Sequence, residues 1–275
     1  MRFKTALFSG LYSNLTLERC FQAASKYGYD GVEVGGFRPH AFPMDILKDD
    51  GASIRRMCSE YGLTVVDYVP ENTGSPYSLV FADNDMNAES IEYFKRGLDA
   101  AAAIESPYCM LACNYPGWGR YLGNVKKRFI ENMKILAEYA ASVNVTIILE
   151  PVTPFEGNII VTSDDVKWAL DEVNHPNFKC MIDLAAPFTA GEPLSSYWEK
   201  IPAEDIRHIH FVDCEKDCED HLIPGEAAMC FPAIVSYLEE VRYEGYLSLE
   251  LFSRYNPEPD FAAKKGMEVF KELLS

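Results

Sequence analysis

The chain has 275 residues, enough for one large hydrophobic core, and its 48% apolar and 24% charged residues are the balance of a globular rather than a disordered protein. Asp and Glu outnumber Lys and Arg, 42 to 25, for a formal charge of −17. That field repels phosphate backbones and anionic lipid, which argues against a general nucleic-acid binder and leaves a small neutral or zwitterionic substrate open.

The predicted elements alternate from the first residues onward. Lys4–Phe8 reads as a strand, and Thr16–Tyr27 as a helix with Leu17, Cys20, Phe21 and Ala24 on one face. Gly31–Val34 is a second strand, followed by a helix over Ser53–Tyr61. Leu63–Tyr68 is a third strand; an insertion over Val69–Asn87 leads to a helix over Ala88–Ile104. Tyr108–Leu111, Val145–Leu149, Lys179–Ile182, Ile206–Phe211 and Tyr246–Leu251 are strands four to eight. The helices after them cover Val125–Val143, Ser163–Val173, Ser195–Ile201, Phe231–Val241 and Asp260–Leu274. Eight strand–helix repeats in a chain of this length, with no glycine-rich phosphate loop, predict an α/β, single-domain (β/α)8 TIM barrel over residues 1–275.

The eight cysteines are scattered with no Cys-x-x-Cys and read as reduced thiols, which points to a cytoplasmic protein. The apolar run in the first ten residues is too short for a secretory leader, and no stretch approaches the ~20 apolar residues a membrane span needs.

In a TIM barrel the chemistry sits at the C-terminal ends of the strands. Here Glu33, Glu150, Asp183, His210 and Glu250 close strands two, five, six, seven and eight. Several carboxylates meeting at one face repel one another unless a cation stands between them. Glu150, Asp183, His210 and Glu250 follow one another at 33, 27 and 40 residues, about one βα unit each, so they point into one mouth. Three carboxylates and one imidazole make a hard, oxygen-rich donor set suited to a divalent metal, Mn²⁺ first, with Mg²⁺ or Co²⁺ as alternatives.

Ile148–Pro151, Met181–Leu184, Arg207–Asp213 and Ser248–Leu251 resemble the strand-end motifs of the xylose-isomerase-like TIM barrels, which include sugar isomerases and epimerases and a DNA-repair endonuclease. Gly35–Phe42, Leu149–Glu156, Ile182–Pro187, Glu192–Tyr197 and Asp220–Glu226 bring the chain nearer to the ketose 3-epimerases, and within them to the branch acting on fructoselysine. The resemblance implies that Glu150, Asp183, His210 and Glu250 hold one divalent ion. It further implies that Glu150 and Glu250 act from the two faces of the sugar, one removing the C3 proton and the other returning one, through a cis-enediolate. Glu156 would bind a substrate hydroxyl. The implied substrate is a ketosamine or ketose, interconverted as fructoselysine and psicoselysine are, and the implied assembly is a homo-oligomer. The tagatose and psicose branch carries a histidine where this chain has Ala186, which puts free hexuloses in doubt; it also carries an arginine where this chain has Lys216, to which no role is assigned. The alternatives are an aldose–ketose or inosose-type isomerase and a non-catalytic metal- or sugar-binding protein. The endonuclease branch fits poorly, because Ala186 removes one of the histidines it needs and its DNA-binding face should be basic.

His40 and His221 fall in loops after strands two and seven, on the active-site side, and are candidate substrate-binding residues. His208 shares the facing of His210 and reads as a core histidine, and His175 as a loop residue. Trp118, Tyr68, Tyr77 and Phe155 are candidate pocket walls, for each of which ordinary packing is the simpler reading.

Overall fold

Short runs rich in β-branched and apolar residues, each followed by an amphipathic helix, can bury both faces of a parallel sheet only if that sheet is wrapped in its own helices. The computed structural model, which describes residues 1–71, 76–113 and 121–275, takes this form. Its strands are β1 (Lys4–Phe8), β2 (Gly31–Gly36), β3 (Thr64–Pro70), β4 (Tyr108–Ala112), β5 (Thr146–Glu150), β6 (Phe178–Asp183), β7 (Ile206–His210) and β8 (Tyr246–Leu249). All neighbours pair in parallel, and β8 pairs with β1 to close the barrel. The expected (β/α)8 TIM barrel is therefore the fold.

The main outer helices are α1 (Leu17–Tyr27), α3 (Ala52–Tyr61), α4 (Asn84–Ala103), α5 (Leu122–Ser142), α6 (Ser163–Val173), α9 (Phe231–Glu240) and α10 (Pro259–Leu273). Shorter ones are α2 (Pro43–Ile46), α7 (Ala185–Ala190) and α8 (Ser195–Lys200). Local chemistry sets several boundaries. Gly28 ends α1 in the left-handed region at φ 94°, open to glycine at no steric cost. Thr162 and Asp165 form a reciprocal capping box that starts α6.

Most boundaries fall within two residues of the sequence expectation, and two helix starts differ by three or more. Helix α4 begins at Asn84 rather than Ala88, because the Asp83 carboxylate accepts from the backbone N–H groups of Asp85 and Met86 at 3.0 Å. That cap overrides the weak helix preference of the Asn- and Asp-rich turn. Helix α5 begins at Leu122, not Val125.

Strand alternation sorts the core into two layers. Val32, Val34, Ile147, Leu149, Ile182, Ile209, Leu247 and Leu249 belong to the large cluster between sheet and helices. The barrel interior is divided. Met110, Ala112, Ile148 and Met181, from β4, β5 and β6, form a small apolar cluster there with Val152. From β2, β3, β7 and β8 come Glu33, Asp67, His208, His210 and Ser248, all polar and buried.

Candidate active site

Glu150 is the last residue of β5, Asp183 of β6 and His210 of β7, while Glu250 directly follows β8. Ile148, Met181, His208 and Ser248 precede them by two positions, so period-two alternation turns all four inward at the mouth. One ligating atom from each lies within 4.8 Å of every other, and all four side chains are buried. His210 Nδ1 is 2.9 Å from Glu150 Oε1, 2.7 Å from Glu250 Oε2 and 3.9 Å from Asp183 Oδ2. Yet His210 Nδ1 and Glu250 Oε2 have no aligned hydrogen-bond partner. Close approach without alignment means the lone pairs converge on a shared point rather than on one another. A buried polar atom left unsatisfied is costly, and a divalent cation at that point satisfies all four at once. The residues fit a metal, and they form a candidate metal site.

Electrostatics carry the same signature. Burial, reinforced by the charges of Glu250 and Asp183, pushes the Glu150 carboxyl up to about 8 even though His210 opposes the shift. Burial disfavours charge on His210, but Glu250, Glu33 and Glu150 outweigh it and lift its pKa well above the usual imidazole range. Burial also opposes ionisation of Asp183, and His221 and His210 overcome it and hold that carboxylate low.

The mouth opens into a cavity of about 570 Å³. Glu150, Asp183, Glu250, Glu156 and His221 line it, with Phe8, Phe37, Val69, Met110, Leu222 and Phe252 as apolar walls. Glu71, Glu219, Asp220 and Arg254 also line it. Glu156 Oε2 accepts from the backbone N–H and the hydroxyl of Thr153, both at 2.9 Å, which holds its turn; burial still pushes its carboxyl up to about 7. The His221 ring is 7% exposed, with Nε2 3.1 Å from Asp183 Oδ2 and Nδ1 3.2 Å from Glu250 Oε2. It stacks at a tilt on Phe252. The loop carrying it is held by Asp213, whose carboxylate accepts backbone N–H groups of Cys214, Gly225, Ala227 and Met229.

The other candidates fall differently. His40 does not line the cavity: its Nε2 faces the carbonyls of Tyr12 and Leu15 at 2.9 and 3.1 Å, and its ring packs on Phe37, which does line it. Tyr68 is fully buried and donates to the Ala41 carbonyl, Tyr77 stacks on Tyr93, and Phe155 is exposed outside the cavity. Trp118 lies outside the described residues. All eight cysteines are free thiols. Sequence reasoning left Glu33 and Asp67 without a role, although each is an ionisable residue inside an apolar strand, a visible signal. The walls Phe8, Phe37 and Phe252 carried no signal, because aromatic residues are common in any core.

Comparison with known proteins gives the class this site belongs to. The family model described as xylose isomerase-like TIM barrel matches residues 21–273. Fructoselysine 3-epimerase of Escherichia coli O157:H7 is 34% identical over 271 residues, 98% of each chain. The chain thus belongs to the xylose isomerase-like TIM barrel family, among its ketose 3-epimerases, and is an enzyme of the isomerase class. Two solved structures share the fold. D-allulose 3-epimerase from Methylomonas sp., in complex with D-allulose, has a TM-score of 0.78 at 21% identity, covering 98% of this chain and 97% of its own. The IOLI protein with a binding zinc atom has a TM-score of 0.79 at 18% identity, covering 99% of this chain and 96% of its own.

Proposed function

We propose that this protein inverts C3 of a ketosamine, interconverting fructoselysine and its C3 epimer, with one divalent ion held by Glu150, Asp183, His210 and Glu250. The observation that carries the chemistry is the order of the ligands around the ring: the two glutamates come from β5 and β8, with Asp183 and His210 on the strands between them. Two carboxylates flanking one substrate position are what inversion needs, a base on one face and an acid on the other. A bound divalent cation supplies Lewis acidity, without which a C–H beside a carbonyl is too weakly acidic to lose its proton at neutral pH. One glutamate takes the C3 proton to give the cis-enediolate of the sugar, and the other delivers a proton to the opposite face. Glu156 and His221 bind substrate hydroxyls, and the apolar walls exclude water.

The substrate assignment rests on the 34% identity with fructoselysine 3-epimerase and on the cavity rim. At about 570 Å³ the cavity is in the range of roughly 300–1,000 Å³ typical of sites that enclose a drug-sized ligand. Three further carboxylates, Glu71, Glu219 and Asp220, and one guanidinium, Arg254, line it. That charge pattern suits an ammonium and a carboxylate on one appendage, as on a lysine adduct. Three carboxylates and one imidazole suit hard to borderline divalent ions, of which Mn²⁺ is the one proposed, with Mg²⁺ or Co²⁺ as substitutes. No helix among the described residues is long and apolar enough to cross a membrane, and free thiols suit a reducing cytoplasm. Self-association into a dimer or larger assembly is part of the same reading and is measured by light scattering.

Proton NMR of fructoselysine with the Mn²⁺-loaded protein in D₂O, after quenching and metal removal, tests the reading. Deuterium at C3 together with a new epimer is the expected result. Deuterium at C1 alone would make the protein an aldose–ketose isomerase, and no exchange with metal bound would make the substrate assignment wrong.

A further inference from the structure

Glu33 is fully buried on β2 and lines no part of the cavity. Its carboxylate nevertheless reaches across the barrel interior to the strands carrying the ligands. The His210 Nε2–H donates to Oε1 at 2.9 Å, the His208 Nε2–H to Oε2 at 3.3 Å, and the Ser248 hydroxyl to Oε2. Strand β2 pairs only with β1 and β3, so strand pairing does not impose these contacts. A buried carboxylate with its donors is no better a core filler than an apolar side chain of the same size, so packing alone gives no reason for it. Its geometry does. An acceptor on Nε2 leaves the neutral His210 ring one tautomer, with the proton on Nε2 and the lone pair on Nδ1. Nδ1 is the atom that faces Glu150, Asp183 and Glu250.

We propose that Glu33 is a positioning residue for the metal centre: by accepting the Nε2–H of His210 it sets the ring's orientation and aims its Nδ1 lone pair at the ion. The inference rests on His210 being a metal ligand, as in the reading above. A carboxylate behind a ligating imidazole also makes the ring a stronger donor, and loss of such a partner typically weakens metal binding by about 10–100-fold. His208 and Ser248 hold Glu33 itself in place from β7 and β8, which leaves Oε1 to His210.

The test is titration of the metal-free protein with Mn²⁺ by calorimetry, alongside its thermal midpoint without metal. Glu33→Gln keeps the size and an acceptor oxygen but removes the charge; Glu33→Met removes the acceptor. The expected Kd rises about tenfold for Glu33→Gln and towards about 100-fold for Glu33→Met. His208→Gln, which alters the same buried cluster but keeps a side-chain N–H for Glu33 Oε2 and so leaves Oε1 to His210, changes it by less than about threefold. Long-range proton–nitrogen NMR of the zinc-loaded wild type should show the His210 proton on Nε2, and that resonance should shift or exchange away in Glu33→Gln. A folded Glu33→Gln with Kd within about twofold of wild type overturns the proposal, whatever happens to its thermal midpoint. So does a His210 proton found on Nδ1. Should Glu33→Met fail to fold, Glu33→Gln decides alone. If the wild type takes up no divalent metal, the ligand assignment falls and this inference with it; if only the variants behave as wild type, this inference alone falls.

Discussion

The ends of β5 to β8 bring Glu150, Asp183, His210 and Glu250 together at the mouth, whereas β2 and β3 send Glu33 and Asp67 into the interior beneath it. Both sets contain buried carboxylates, and the difference lies in what surrounds them. In the upper set His210 Nδ1 and Glu250 Oε2 approach their neighbours without an aligned hydrogen-bond partner, an arrangement that suits a cation. In the lower set Glu33 pairs in register with Asp67, yet the two titrate in opposite directions. Burial opposes ionisation of Glu33, but the charges and hydrogen bonds of His210 and His208 hold it well below the ordinary carboxylate range. Burial, with the charge of Glu33 beside it, pushes Asp67 well above that range. Among the described residues its only aligned donor is the Tyr68 N–H, and its Oδ2 has no partner there. Depth alone therefore does not decide whether a carboxylate is charged; the number of donors aimed at it does.

The largest effect should come from the upper set. Glu150→Gln and Glu250→Gln should each lower C3 proton exchange by about 10³-fold, the middle of the range for a general acid or base, as read by deuterium incorporation. Wild-type exchange in either variant would remove the two-glutamate reading. Asp183→Asn should weaken Mn²⁺ binding by more than the ~100-fold that residues acting through a ligand reach, measured by chelator competition.

Metal affinity should also depend on pH, and the sign follows from the raised pKa values. Before metal enters, His210 and Glu150 hold protons at neutral pH, because the pKa of His210 is lifted well above its usual value and that of Glu150 to about 8. The ion must displace them, so affinity should fall as pH drops below about 8 and rise towards that value, with up to two protons released per ion. Calorimetry in buffers of different ionisation enthalpy counts those protons, and a count of zero would contradict the shared-cation reading.

The lower set gives the two smallest effects. Ser248→Ala removes one donor from a buried carboxylate and should cost about 1.5–3 kcal/mol of stability in urea unfolding. Asp67→Asn should change stability by less than about 1 kcal/mol and leave the Mn²⁺ Kd unaltered, because burial already pushes this carboxyl towards its neutral form, which loses little on becoming an amide. A large loss of metal affinity in Asp67→Asn would erase the distinction between the two neighbours.

The barrel and the four converging side chains were legible in the sequence because each of the four ends an apolar run and period-two alternation tells which way it points. Glu33 gave the same signal, but its meaning was not legible: only closing the ring brings β2 within reach of β7 and β8, 177 residues away at His210. His40 shows the converse. Its loop lies on the expected side, yet the carbonyls of Tyr12 and Leu15 draw its ring away from the cavity, and no local pattern foretells which backbone atoms a loop will meet. Order, facing and spacing are properties of the chain and survive in one dimension. Which donors meet which acceptors across the interior depends on barrel closure, and that the tertiary structure alone decided.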